Sequence, residues 1–225
     1  MTTLGRPRLH YREIGSTNAR ARELALAGAP HGTLVSAGLQ TAGRGRQGRT
    51  WTTPPDRALL LSLVIRSPDA LLPLRAGLAV ADLAGPGARV KWPNDVLLDG
   101  RKVAGILAEG RPQEDWAVLG MGINAALAPE DFPEELRDRA GTLGFARGEL
   151  DVALARLLAA LEVRLAEPGA ATLGALRERD ALLGAPVSWP GGRGTGAGIT
   201  DGGELRVAVG DGRETVLAAG EVHLA

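Results

Sequence analysis

The chain has 225 residues, room for one medium catalytic domain plus a small module or for one larger domain, and its 26 Lys and Arg balance its 26 Asp and Glu. A formal charge of zero gives no global field toward nucleic acid or a membrane surface. With no cysteine, and with His10, His31 and His223 at no ligand spacing, disulfides, thiol chemistry and zinc sites are set aside. Mean hydropathy is near zero. No apolar run approaches the roughly 20 residues that span a bilayer, and residues 1–5 lack the layout of a signal peptide, so a cytoplasmic protein with no membrane partner is expected.

In chain order, a short strand leads into a helix over 17–27, with Ser16 as N-cap and Gly28 closing it. A strand is predicted over 33–38, a Gly/Arg loop over 43–49, and a buried strand over 58–66. Residues 71–83 read as a helix. Strand-like segments follow near 89–92, over 96–109 with a turn at Asp99-Gly100, and over 116–124; helices over 149–166 and 171–182 close this part. After Leu183 the texture changes to short alternating stretches broken by Asp201-Gly202-Gly203 and Gly210-Asp211-Gly212, which indicates a small all-β module. Some 40 residues make too small a core to stand alone, so this module should pack on the rest. The division expected is 1–182 and 183–225.

The segment Gly43-Arg44-Gly45-Arg46-Gln47-Gly48-Arg49-Thr50 matches a dinucleotide fingerprint, and a P-loop lacking its lysine, in form only. Both motifs need a helix immediately after the glycines, and Thr52-Thr53-Pro54-Pro55 opposes one. What remains is a loop presenting three guanidinium forks to carboxylate or phosphate oxygens, to nucleic acid, or simply to solvent.

Asp99-Gly100 between apolar runs predicts a two-residue hairpin, pairing Leu98 with Arg101 and Leu97 with Lys102. Asp95 and Lys102 then lie diagonally on one face, about 7–8 Å apart between backbone positions, as a ligand-sharing pair or an ordinary surface ion pair. The only two lysines of the chain, Lys91 and Lys102, both fall in this segment. In Gly120-Met121-Gly122-Ile123-Asn124 alternation puts both glycines and Asn124 on one face, bare enough for a flat ligand such as a purine, or for a neighbouring helix. Ser16-Thr17-Asn18 offers more hydrogen-bonding side chains than capping a helix needs.

Taken in order, Ser16-Thr17-Asn18, Gln40 with the 43–49 loop and Trp51, Lys91-Trp92-Pro93-Asn94-Asp95, the run Lys102 to Glu109, and Gly120 to Asn124 resemble the signature of the biotin protein ligases. The resemblance covers nearly the whole chain. It implies a mixed sheet flanked by helices, an α/β (α+β) fold related to class II tRNA synthetase cores, followed by a C-terminal SH3-like β-barrel. The activity implied is formation of biotinyl-5'-AMP from biotin and ATP with magnesium, then transfer to a lysine of a biotin carboxyl carrier protein of acetyl-CoA carboxylase.

By the same resemblance Ser16, Thr17, Asn18 and Gln40 would hold biotin's ureido end, with Arg44, Gly45, Arg46, Gly105 and Leu107 also in contact with biotin. Gly43, Arg44, Arg46 and Arg49 would serve ATP or the adenylate together with Lys91; Trp51 would cover the adenine and Asn124 bind its edge. Lys102 would lie beside the biotin carboxylate and the α-phosphate, making Lys102, Arg46 and Asp95 the catalytic set, with Asp95 also supporting magnesium. With 15 residues ahead of Ser16, no N-terminal DNA-binding module and no DNA partner are expected, and a homodimer through sheet edges is. The C-terminal end, Glu221-Val222-His223-Leu224-Ala225, lacks the basic residue that some relatives carry there, which puts in doubt a role for the module in holding ATP. The nearest alternative activity is lipoate ligation by the same acyl-adenylate route.

Overall fold

The structure is a computed structural model that describes residues 4–110 and 113–224. Its main sheet is built from β1 (Arg8–Ile14), β2 (Leu34–Gln40), β3 (Ala58–Arg66), β4 (Ala88–Lys91), β5 (Asp95–Leu98), β6 (Arg101–Gly110) and β7 (Trp116–Asn124). The strands lie in the order β1-β2-β3-β7-β6-β5-β4. Only β1 and β2 run parallel, so the sheet is mixed, as the resemblance implies.

Side-chain alternation gives the sheet two unlike faces. On β3, Leu59, Leu61, Leu63 and Ile65 point into the main core with Leu119, Met121 and Ile123 of β7. Helices α2 (Leu72–Ala84) and α3 (Leu150–Ala166) pack there, α2 on β4, β5 and β6 and α3 on β3. Helix α2 buries nine of its thirteen residues because it is sandwiched between the sheet and α3; each large aliphatic side chain removed from water contributes about 1.5–3 kcal/mol. The opposite face carries Ala58, Leu60, Ser62 and Val64 of β3. Helix α1 (Thr17–Leu26) covers only one end of it, through Ala21 and Ala25 on Val64, Trp116 and Val118.

Helix α4 spans Gly169–Glu178, not the 171–182 predicted from periodicity. Its backbone is diverted after Glu178 because Val90 N–H donates to Arg179 O (2.8 Å) and Ala181 N–H to Val90 O (3.0 Å). The Asp180 carboxylate then takes Leu182 N–H at 2.8 Å, closing a turn in place of another helical one.

The C-terminal part is a five-stranded antiparallel sheet of β8 (Pro186–Trp189), β9 (Gly192–Ile199), β10 (Leu205–Val209), β11 (Arg213–Leu217) and β12 (His223–Leu224). Its order is β11-β10-β9-β8-β12. Among the described residues this is an open row, where a barrel was expected. Val187, Ile199, Leu205, Val207 and Val222 join the same apolar cluster as Trp92 and the main sheet, and the buried Trp92 Nε1 donates to Gly203 O at 3.0 Å. Apolar side chains from both sides of the expected 182/183 boundary thus share one cluster.

Candidate active site

The face that α1 leaves open forms the floor of a cavity of about 780 Å³. Register places its residues in rows across the strands. Lys91, Asp95, Gly105, Gly122 and Leu60 make one row from β4 to β3; Leu107, Gly120 and Ser62 make the next, and Glu109, Val118 and Val64 the one beyond, where α1 covers the face. The hairpin has Leu98 opposite Arg101 and Leu97 opposite Lys102, with positive φ at Asp99 (50°) and Gly100 (76°) as a type I′ turn requires. A register shift between Val96 and Leu97 then places Asp95 opposite Gly105. Strict alternation would put Lys102 and Gly105 on opposite faces. The bulge brings both to the cavity, re-aiming the lysine.

At one end the floor is polar, presenting the uncharged side chains of Ser16, Thr17, Asn18 and Gln40 to the cavity. Ser16 caps α1, its Oγ accepting from Ala19 N–H at 3.4 Å. Thr17 donates to Gln40 Oε1 through both its backbone N–H (2.8 Å) and its hydroxyl (3.0 Å). Ser62 Oγ lies 2.8 Å from Thr17 Oγ1 and donates to Asn18 Oδ1 at 2.6 Å. Asn18 Nδ2 completes the network, donating to Glu109 Oε2 at 2.8 Å and to Leu107 O at 3.4 Å. These buried groups are oriented by each other, which leaves them rigid toward a neutral polar ligand.

The other end is cationic. Lys102 Nζ sits 2.6 Å from Asp95 Oδ1 and 5.8 Å above the Trp51 ring centroid, and Lys91 Nζ is 3.5 Å from Asp95 Oδ2. Burial pushes the Lys91 ammonium below the usual lysine range, Asp95 opposing and Lys102 reinforcing the shift. From the loop, Arg46 donates to Asn94 Oδ1 (2.8 Å) and to Gly220 O (3.1 Å). Arg44 pairs with Glu109 at 3.0 Å, and Arg49 with Glu221. The loop folds back on itself through Gly45 N–H to Arg49 O (2.6 Å) and turns at Gln47 and Gly48, both with positive φ.

This donor set does not fit a resident magnesium ion. Both Asp95 oxygens face ammonium groups, and no cluster of three or more His, Cys, Asp or Glu suited to a metal occurs among the described residues. In this structure Asp95 is the counter-charge that holds two lysines on one face.

The remaining residues expected at the site line this one cavity, with the exception of Gly43. Gly43 is buried under the Trp51 backbone, accepting Trp51 N–H at 3.0 Å, and shapes the loop from beneath. The glycine floor is not bare. A Cβ on Gly122 would lie 2.6 Å from the Trp51 ring and one on Gly105 3.1 Å from it, while Gly120 admits the Asn18 amide. The flat group on these glycines is the protein's own indole, whose buried Nε1 has no partner. Asn124 directs its amide nitrogen at Gly141 O (3.0 Å) and Lys102 O (3.5 Å), tying β7 to the following loop.

Several residues that line or brace the cavity had no role in the sequence reading. Glu109 continues the alternation of Gly105 and Leu107, so extending the period of two by one step finds it. Leu127, Phe132 and Ala140 come from an aperiodic loop and close an apolar patch beside Trp51. Glu221 and His223 arrive from β12 and its approach. No local pattern marks either group.

The biotin/lipoate A/B protein ligase family model matches residues 11–124. A biotin–[acetyl-CoA-carboxylase] ligase of Mycobacterium tuberculosis is 38% identical over 94% of this chain and 87% of its own length. The bifunctional ligase/repressor BirA of Bacillus subtilis is 40% identical over 65% of this chain, and the matched part is 49% of that relative. Among solved structures, the biotin protein ligase of Aquifex aeolicus in complex with biotin and ATP superposes with a TM-score of 0.83 at 27% identity, covering 98% of this chain and 100% of that one. The biotin protein ligase of Leishmania major in complex with biotinyl-5-AMP does so with a TM-score of 0.65 at 26% identity, covering 94% and 98%. With the family model over half the chain and a mycobacterial relative aligned almost end to end, the chain belongs to the biotin/lipoate A/B protein ligase family.

Proposed function

We propose that this chain joins biotin to a protein lysine in two steps. The biotin carboxylate oxygen attacks the α-phosphorus of ATP, forming biotinyl-5'-AMP as the bond to pyrophosphate breaks. The amine of a carrier lysine then attacks the anhydride carbonyl; it loses a proton, and AMP leaves. The observation that carries this reading is the division of one cavity into a neutral polar end, at Thr17, Asn18 and Gln40 braced from behind by the buried Ser62, and a cationic end, at Lys91, Lys102 and Arg46. A neutral ureido head suits the first and two converging anions suit the second.

Lys102 and Arg46 would hold the carboxylate and the α-phosphate together and stabilise charge that builds as they react. Trp51 with Leu127 and Phe132 provides the apolar surface an adenine needs, beside Asn124. Arg44 and Gly45 would close over biotin and Arg49 and Lys91 would face the phosphates, all four lining the cavity. Magnesium would supply the counter-charge of ATP and pyrophosphate. The names of the mycobacterial and Aquifex relatives support biotin, ATP and a carboxylase carrier as substrates.

The same reading assigns catalysis to 1–182 and takes 183–225 as the SH3-like module, on its five antiparallel strands. It places the chain in the cytoplasm; no helix among the described residues is long and apolar enough to cross a membrane. It also makes the chain a homodimer, for which β1 at the sheet edge is available. The test is pyrophosphate release from ATP and magnesium with biotin, lipoate or no acid. Release with biotin alone, with biotinyl-5'-AMP retained, is the expected result. Release with lipoate alone would transfer the reading to lipoate, and release with neither from folded protein would end it.

A further inference from the structure

We propose that Glu109 is a positioning residue that couples recognition of the acid to closure of the arginine loop. One carboxylate oxygen, Oε2, accepts from Asn18 Nδ2 at 2.8 Å, and the other, Oε1, pairs with Arg44 at 3.0 Å. The first contact lies in the floor of the cavity and the second in its roof. Glu109 stands at the end of β6 on the same face as Gly105 and Leu107, where register sets it opposite Val118.

The floor contact decides which way the Asn18 amide points. With its nitrogen held by a carboxylate, which only accepts, Asn18 must turn its oxygen to Ser62 and the Gly120 backbone. A group placed against that floor therefore meets a fixed pattern of donors and acceptors. The roof contact is different in kind. Arg44 is half exposed on a loop of glycines, and the Glu109 ion pair ties it to the main sheet. Arg46 and Arg49 are tied elsewhere, to Asn94 and Gly220 and to Glu221. One side chain thus transmits the state of the floor to the biotin side of the loop: displacing Asn18 frees Glu109, and freeing Glu109 releases Arg44.

The inference rests on the biotin-activation reading for what occupies the cavity, but the latch itself does not. Two substitutions separate its halves. Glu109→Gln keeps an oxygen for Asn18 and removes the charge facing Arg44, whereas Glu109→Ala removes both contacts. Limited trypsin cleavage after Arg44, Arg46 and Arg49 in the ligand-free protein should be about three- to fivefold faster for Glu109→Gln, the size expected when a half-exposed ion pair is lost. Release of retained biotinyl-5'-AMP should accelerate by a similar factor, with KM for biotin nearly unchanged. Glu109→Ala should add a rise in KM for biotin of about tenfold, one buried hydrogen bond. Glu109→Asp should recover part of both, which a merely structural defect would not.

Wild-type cleavage and adenylate retention in Glu109→Gln would overturn the proposal, as would equal KM values in the Gln and Ala variants. Should wild-type protein release no pyrophosphate with biotin while the cleavage difference persists, the latch stands and the substrate assignment falls.

Discussion

Lys102 is the residue on which the proposed activation step turns, and its surroundings make a clean substitution possible. Lys102→Ala leaves Asp95 paired with Lys91, so no buried carboxylate is stranded and the fold should survive. Loss of its charge beside the reacting phosphate should slow biotin-dependent pyrophosphate release about 100-fold, the effect of deleting one preorganised transition-state donor. An unchanged rate in folded Lys102→Ala protein would remove Lys102 from the mechanism. At this scale much was legible: the Asp-Gly turn placed Lys102 opposite Leu97 and on the face of Asp95 before any coordinates. What alternation could not supply was the bulge, because an inserted residue leaves no periodic mark.

At the scale of elements, the helical layer is tied by one carboxylate. Asp82 on α2 receives Arg164 of α3 through two hydrogen bonds, 2.7 and 3.0 Å, and Arg179 beyond α4 at 2.6 Å. Desolvation alone would raise its pKa, but the hydrogen bonds from Arg164 and Arg179 prevail and hold it below the ordinary aspartate value of 3.8. A depressed carboxylate pKa contributes stability that is present above the unfolded value and is lost as pH falls through the folded one. Asp82→Asn should thus lower stability at pH 7 by about 1–2 kcal/mol, discounted for the partial exposure of the pair. The gap to wild type should shrink below about pH 4, the range in which the unfolded-state aspartate itself takes up a proton. Urea titrations at pH 7 and pH 3.5 check this, and a gap independent of pH would refute the charge argument. Helix α3 was legible from its apolar period, while the end of α4 was not, since a bridge to β4 overrode its helical pattern.

On the scale of the whole molecule, the C-terminal sheet is a structural part of the main core. Trp92 lies in the motif 91–95 and is anchored by Gly203, and the 221–224 segment forms cavity wall. A chain ending at residue 182 should therefore lose its cooperative thermal transition and expose Trp92 to solvent. Differential scanning calorimetry together with tryptophan fluorescence reads both effects. A cooperative transition in the shortened chain would establish 1–182 as an independent unit.

The residues expected at the site came from the family resemblance; by itself the sequence determined most of the strands and helices, the hairpin pairing and the exclusion of cysteine chemistry. These depend on local periodicity, turn stereochemistry and composition, which are written in contiguous residues. Only the tertiary structure decided that Trp51 covers the glycine floor, that Asp95 faces two lysines, that Glu109 bridges floor and loop, and that Glu221 and His223 reach the site. Each of these is a contact between segments distant in the chain, and its existence depends on how sheets and loops pack, which no local pattern encodes.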